Sequence, residues 1–246
     1  MIPKILHGIW VGTSPMPGRF KPNIDSWKKF NPSYDVKIWG NEDLNFDDPY
    51  VRMAYDQQAW AKLSDYLRLQ IVRDHGGIYL DVDIEAIAPF DHLLTYDCFV
   101  GIQSTDAQDS PVCNAVIGAK PHHPFITEAL ARFPNSFSGD LYYAPTGPEL
   151  VSEILLENGL KVENRIQHCG DVCVLPTEYF YPYHWRERFK RSCLTPRTVA
   201  IHYWDMSWHN HLAPKFVRVV KEVLKDNRHL YGLIRWLKAS IIGNRS

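Results

Sequence analysis

The sequence predicts an α/β protein: a mixed, mainly parallel sheet flanked by helices, followed by a basic helical extension. Two patterns carry the sheet. Short apolar, β-branched runs alternate with segments of helical period from the first residues onward, as in sheets covered by helices. The longest helical segment stops at Gly76-Gly77 immediately before another apolar run, where a glycine supplies the left-handed cap. A third observation marks the extension. Residues 215–246 hold 8 Lys/Arg against 2 Asp/Glu, whereas residues 1–214 hold 19 against 26. An acidic body of −7 thus carries a tail of +6.

In chain order, Ile2–Val11 reads as a buried first strand ending in the Pro-containing loop at 12–18. Ile24–Phe30 has helical spacing and stops at Asn31-Pro32, and Tyr34–Trp39 alternates as a second strand before a turn at Gly40-Asn41. Gln57–His75 places Trp60, Leu63, Tyr66, Leu67, Leu69, Ile71 and Val72 at helical intervals. Ile78–Leu80 is a short strand running into Asp81-Val82-Asp83, with Ile84–Ile87 extended before Pro89. Further strands are expected at Cys98–Gln103, Val112–Ala119, Val172–Leu175 and Thr198–Tyr203, and helices at Pro124–Arg132 and Pro148–Asn158. No internal repeat or linker interrupts this pattern, so residues 1–211 form the expected catalytic-size domain and 212–246 the amphipathic basic helices.

With 246 residues, 45% of them apolar and 22% charged, the chain can bury a substantial core without metal or disulfide staples. The acidic body argues against wrapping nucleic acid. Five cysteines, only Cys169 and Cys173 close together, lack the paired spacing of structural zinc, and packed reduced thiols are expected. The start MIPKILHGIWVG, with one Lys, a brief apolar stretch and no small-residue cleavage site, is poor signal-peptide grammar. A cytoplasmic protein is expected, with a peripheral position on the inner face of the cell membrane if the tail engages anionic lipid.

The strongest chemical signal is GGIYLDVD, residues 76–83. In an extended segment residues i and i+2 point the same way, so Asp81 and Asp83 face one space. Two facing carboxylates repel unless a cation separates them, and a hard ion such as Mn²⁺ or Mg²⁺, completed by substrate phosphates, meets that need. The alternative is a polar strand exit into solvent. On the preceding helix Asp65 and Arg68 stand three apart, hence on one face. They are either a surface ion pair of small value, or a pair that offers a carboxylate to sugar hydroxyls and a guanidinium to phosphate or hydroxyl oxygens.

The stretch SDYLRLQIVRDHGGIYLDVD resembles, in order, the DXD sugar-binding region of glycosyltransferase family 32. That family includes bacterial polysaccharide glycosyltransferases, yeast-type initiating mannosyltransferases and clostridial glucosylating toxin domains. The opening IPKILHGIWVG, SWKKFNPSYDVKIW, Asn114–Ala119, His123-Pro124-Phe125, Thr146-Gly147-Pro148, Phe180-Tyr181-Pro182 and Ala200-Ile201-His202-Tyr203-Trp204 with Ser207-Trp208 extend the resemblance over residues 2 to about 209.

The resemblance implies a GT-A fold and metal-dependent, retaining transfer of a hexosyl residue from a nucleotide-diphosphate sugar to a glycan or lipid-linked glycan, in cell-surface polysaccharide or capsule synthesis. It favours UDP-hexose as donor over GDP-mannose. It also implies that Trp10 stacks on the base, that Asp65 and Arg68 contact sugar and phosphate, that Asp81 touches ribose or sugar, and that Asp83 binds the metal. Asn114 would sit near the transferred sugar, with Ser207 and Trp208 folding over the diphosphate and His202 as a further metal ligand. Simpler fates compete: Trp10 as core filler, Asn114 as a turn cap, His202 as a hydrogen-bonded core histidine. Rival functions are a nucleotide-sugar hydrolase or binding module, and a toxin-like protein glucosyltransferase. For the tail, residues 215–246, binding to an anionic membrane surface competes with packing on the domain.

Overall fold

Strand β1, Ile5–Ile9, takes β2, Asp35–Trp39, on one side and β3, Gly77–Leu80, on the other, both in parallel. The β6 strand, Val112–Ala119, then runs antiparallel between β3 and β5, Cys98–Ile102. β8, Val172–Leu175, lies parallel to β5, and β7, Gln167–Cys169, closes the sheet as an antiparallel edge. The spatial order is β2-β1-β3-β6-β5-β8-β7. A separate two-stranded sheet pairs β4, Ile84–Ala86, with β9, Ala200–His202, setting Ile84 opposite His202. The computed structural model describes residues 1–135, 141 and 145–205, which belong to one unit, Met1–Asp205. Ser207, Trp208 and the tail 212–246 lie outside the described residues. The mixed α/β sheet flanked by helices that the sequence predicts is the one observed.

Alternation along the strands gives each sheet face its own partner. Leu6, Ile78 and Leu80 join Trp27, Ile84, Phe90 and Phe99 in a buried apolar cluster. Trp27 comes from α1, Lys21–Phe30, and its indole donates to the Ile84 carbonyl at 2.7 Å, tying β4 to that layer. His7 and Tyr79, one residue out of phase, face α3, Trp60–His75, whose buried stripe runs from Leu63 to Val72. α2, Pro49–Asp56, and α4, Pro124–Asn135, pack beside α3, and α5, Gly147–Glu157, packs on β6.

The strand directions put the carboxyl ends of β1, β3, β5 and β8 on one edge, where β6 begins. Ligands of open α/β sheets bind along such an edge.

One expected helix starts later, and one strand is new. The helix read from Gln57 begins at Trp60, because a separate helix precedes it: Asp48 caps α2 by accepting from the Tyr50 and Val51 amides at 2.8 and 3.3 Å, with Pro49 at its first position. Gln58, at φ 53°, makes the break between the two. The β7 edge strand was absent from the sequence reading. It ends in the two-residue turn Gly170-Asp171, with Gly170 at φ 60°, a hairpin signal in its own right.

The junction of α3 and β3 needs its two glycines. Gly76 has φ 63° and Gly77 φ 93°, and a Cβ at Gly77 would lie 2.7 Å from the Ile5 carbonyl. Beside them His7 is 1% exposed. Its Nε2 donates to the Gly76 carbonyl at 2.9 Å, and its Nδ1 accepts from the Trp39 indole at 3.2 Å. Both ring nitrogens are thus used by the neutral form. Burial pushes the His7 pKa down from 6.5 to about 4, aided by His75 and Lys37 and opposed by the Gly76 carbonyl.

Because the folded value is depressed, the contribution is fully present above pH 6.5 and is lost as pH falls toward 4. The shift corresponds to about 3 kcal/mol. Denaturant titrations at pH 7.5 and 4.5 should show this loss in the wild type, and a shallower pH dependence in His7→Gln.

Candidate active site

Arg68 is the centre of the site. It lies on α3, 4% exposed, and every nitrogen of its guanidinium meets a protein acceptor. Nε donates to the Ser64 carbonyl at 3.2 Å. One terminal nitrogen donates to the Asn114 carbonyl and Oδ1 at 3.0 and 3.1 Å. The other reaches the Ser64 hydroxyl and one oxygen each of Asp65 and Asp81, all at 3.2 Å. The Tyr79 ring lies under the guanidinium carbon at 4.7 Å. Burial opposes its charge, but Asp81 and the other acidic neighbours win and hold the pKa above its ordinary value.

Asp65, one turn earlier, is bound from three directions. Besides Arg68, it accepts from the Asn114 amide at 3.1 Å and from the Gly147 N–H at 2.8 Å. Gly147 is the first residue of α5, so Asp65 sits on the positive end of that helix. The approach is close: a Cβ at Gly147 would lie 2.0 Å from Asn114 Nδ2 and 2.6 Å from Asp65 Oδ1. Thr146 caps α5 in a capping box with Glu149, which fixes where that N–H points.

Asp81 follows β3 directly, and its backbone N–H still bonds the Ala115 carbonyl of β6 at 2.9 Å. The Tyr79 hydroxyl donates to its carboxylate at 2.6 Å. Asp83 is 7% exposed. Its Oδ2 accepts from the Asp205 amide at 2.8 Å and lies 3.2 Å from His202 Nε2.

The two aspartates do share a space, though not by strand alternation. The chain turns there, with the Ile84 amide on the Asp81 carbonyl at 3.0 Å, and the turn brings the carboxylates together. One ligand atom from each of Asp81, Asp83 and His202 lies within 4.8 Å of the others.

The charge of this cluster is lopsided. Asp65 and Asp81 share the guanidinium of Arg68, Asp65 additionally takes the α5 terminus, and Asp83 has the His202 imidazole and the Asp205 amide beside it. Burial, reinforced by Asp83, raises the Asp81 pKa even with Arg68 opposing. Two carboxylates and an imidazole at this separation suit a divalent cation, so the residues present fit Mn²⁺ or Mg²⁺. A cleft of about 390 Å³ opens beside Asp83, lined by Arg19, Phe20, Asn23, Glu85 and Tyr203.

Of the residues singled out in the sequence, Asp65, Arg68, Asp81, Asp83, Asn114 and His202 come together. The Asp65–Arg68 pair is a buried hub and not a surface ion pair. With each of its nitrogens on a protein acceptor, the Arg68 guanidinium forms a wall of the site. Asn114 lies within β6 and is not a turn cap; its side chain bridges Asp65 and Arg68. Trp10 is half-buried at the carboxyl end of β1, donates to the Ser14 carbonyl at 2.9 Å and packs on Phe20. It stands on the same sheet edge, outside the hydrogen-bonded cluster. Ser207 and Trp208 lie outside the described residues. Sequence reading missed Ser64, Tyr79 and Gly147 as site builders, although each lies in a segment already singled out.

Removing one partner of a buried ion pair strands the other, at a cost of about 3–5 kcal/mol. Arg68→Met should lose that much unfolding free energy in denaturant titrations. Arg68→Lys should lose less, because an ammonium keeps the charge but cannot span Ser64, Asn114, Asp65 and Asp81 together.

Two family models match this chain. Residues 17–100 match the glycosyltransferase sugar-binding region containing DXD motif, and residues 118–226 match the alpha 1,4-glycosyltransferase conserved region. An uncharacterized glycosyltransferase of Acanthamoeba polyphaga mimivirus is 28% identical over 50% of this chain and 52% of its own. Inositol phosphoceramide mannosyltransferase 3 of Schizosaccharomyces pombe is 30% identical over 54% of this chain and 37% of its own. The human alpha-1,4-N-acetylglucosaminyltransferase is 29% identical over 62% of this chain and 45% of its own. The chain therefore spans about half, or less, of the length of these relatives. Both models fall on segments that build the site, and over those segments the chain is similar to DXD-containing glycosyltransferases.

Proposed function

We propose that this protein transfers a hexosyl residue from a nucleotide-diphosphate sugar to a glycan or lipid-linked glycan, with retention at the anomeric carbon. The observation that carries the reading is the Asp81–Asp83–His202 cluster at the carboxyl edge of the sheet, backed by the Arg68 hub. Asp81, Asp83 and His202 would hold Mn²⁺ or Mg²⁺, which when bound supplies electrostatic stabilisation of the departing diphosphate.

The protein's own part is to keep those ligands fixed. Tyr79 and Arg68 orient Asp81, and the Asp205 amide orients Asp83. Asp65 and Asn114 are held at the start of α5, so the site floor does not need to reorganise when the donor arrives. Retention is supported by chemistry and by the family description together. UDP- and GDP-activated hexoses carry their leaving group in the α configuration, and one matched region is described as alpha 1,4. Same-face attack is the proposed course, with the leaving phosphate oxygen taking the acceptor proton.

UDP-hexose is the first donor and GDP-mannose the second; the relatives include both an N-acetylglucosaminyltransferase and a mannosyltransferase. Residues 215–246 supply the positive charge that a lipid-linked acceptor on an anionic membrane would require. On this reading the enzyme works in the cytoplasm at the inner membrane face, in polysaccharide or capsule synthesis. Among the described residues no helix is long and apolar enough to cross a membrane.

Thermal melts with UDP-Gal, UDP-Glc, UDP-GlcNAc and GDP-Man test the reading without an acceptor, since a ligand of the folded state raises the melting temperature. One donor should stabilise the wild type only when Mn²⁺ is present, and Asp83→Ala should lose that shift along with about 100-fold or more in transfer rate. No stabilisation by any donor at millimolar concentration would refute the transferase reading. Release of free sugar with every added glycoside refused would make the protein a hydrolase.

A further inference from the structure

Trp204 is assigned no role by anything above, yet its backbone is at φ 56°. A bulky side chain with positive φ is an outlier in proteins, and such conformations concentrate at functional sites. The turn it makes wraps Asp83. The Tyr203 amide bonds the Asp83 carbonyl at 3.1 Å, and the Asp205 amide bonds the Asp83 carboxylate. The same turn packs Trp204 against His202, with ring centroids 4.0 Å apart and planes tilted by 43°.

The Trp204 ring is itself anchored. Its indole donates to the Tyr183 carbonyl at 3.1 Å. Tyr181 packs against both rings, 5.6 Å from Trp204 and 5.7 Å from His202. Tyr181 belongs to the fixed part of the fold, because its hydroxyl accepts the Val116 amide of β6 at 3.1 Å.

On the other side of the imidazole, His202 Nδ1 is buried and has no hydrogen-bond partner among the described residues. A metal-ligating histidine is normally oriented by a hydrogen bond at its second ring nitrogen. Here the imidazole has the Trp204 and Tyr181 rings packed against it instead.

We propose that Trp204 is a positioning residue: its closely packed, indole-anchored ring sets the orientation of the His202 imidazole and so completes the cation site with Asp81 and Asp83. The inference rests on reading that cluster as a cation site. It predicts that loss of the ring weakens the nitrogen ligand while leaving the carboxylates in place.

Mn²⁺ is the probe, followed by its electron paramagnetic resonance for affinity and by spin-echo modulation for ¹⁴N coupling to an imidazole nitrogen. Wild type should bind Mn²⁺ with nitrogen coupling, and His202→Gln should lack the coupling. Trp204→Ala should bind about 10-fold more weakly, with the coupling diminished and a circular dichroism spectrum like that of the wild type. Trp204→Phe keeps a ring but loses the Tyr183 anchor, and should weaken binding about 2–5-fold, on a scale below the full effect of removing a ligand's support. It decides the matter if the alanine variant does not fold.

Unchanged affinity and coupling in the folded Trp204 variants would overturn the assignment of Trp204 alone. Mn²⁺ bound by wild type without nitrogen coupling would overturn it through His202. No Mn²⁺ binding by wild type would overturn the cation reading beneath it.

Discussion

A single buried guanidinium ties together the parts of the chain that make the site. Arg68 on α3 bonds Asp65 on its own helix, Asn114 on β6 and Asp81 after β3. Through Asp65 it also fixes the start of α5 at Gly147. The elements are far apart in sequence, so the guanidinium is where the tertiary fold becomes a defined floor for a ligand. Its planar fork suits this task better than an ammonium, because several acceptors in different directions have to be met at once. The same interaction explains why Gly147 has to be glycine: Asn114 and Asp65 occupy the space that a Cβ there would enter.

That floor carries more negative charge than Arg68 offsets. Asp65 shares its charge with a helix terminus, whereas Asp81 and Asp83 face each other across a turn with His202 beside them. Low-dielectric surroundings make such an imbalance costly until a cation enters. The protein holds the repelling pair in place with bonds from outside the cluster: the Tyr79 hydroxyl on Asp81, and the Asp205 amide on Asp83. Donor binding and stability are thereby linked through one local charge balance. The β9 strand supplies the last piece, since its pairing with β4 sets His202 opposite Ile84, one residue beyond Asp83.

Much of this was legible in the sequence. Period-2 and helical-period runs located the principal strands and α3, and the GGIYLDVD block located the acidic pair. The i, i+3 spacing put Asp65 and Arg68 on one face but left open whether that face was buried. Burial was set by Tyr79 and Asn114, on strands that reach α3 only in the folded sheet. Asp81 and Asp83 were expected to converge by strand alternation and instead converge through a turn, which a two-residue spacing does not distinguish. α2 was missed because Asp48-Pro49, a helix start in chemical terms, precedes a helix of only eight residues, too short for its period to stand out. Trp204 stood in a segment already singled out, but its positive φ arises from the way 202–205 wraps Asp83 and from no preference of tryptophan itself.

The central claim is that the acidic pair is a repelling arrangement which a divalent cation turns into a stabilising one. Melting temperatures of wild type and Asp83→Asn, each in chelator and in millimolar Mn²⁺, test it most directly. Asparagine can still accept the Asp205 amide while removing the charge that faces Asp81. In chelator, Asp83→Asn should melt at or above the wild type; in Mn²⁺ the order should reverse, because only the wild type gains appreciably. A variant that is less stable than wild type in chelator, and equally stabilised by Mn²⁺, would contradict the account.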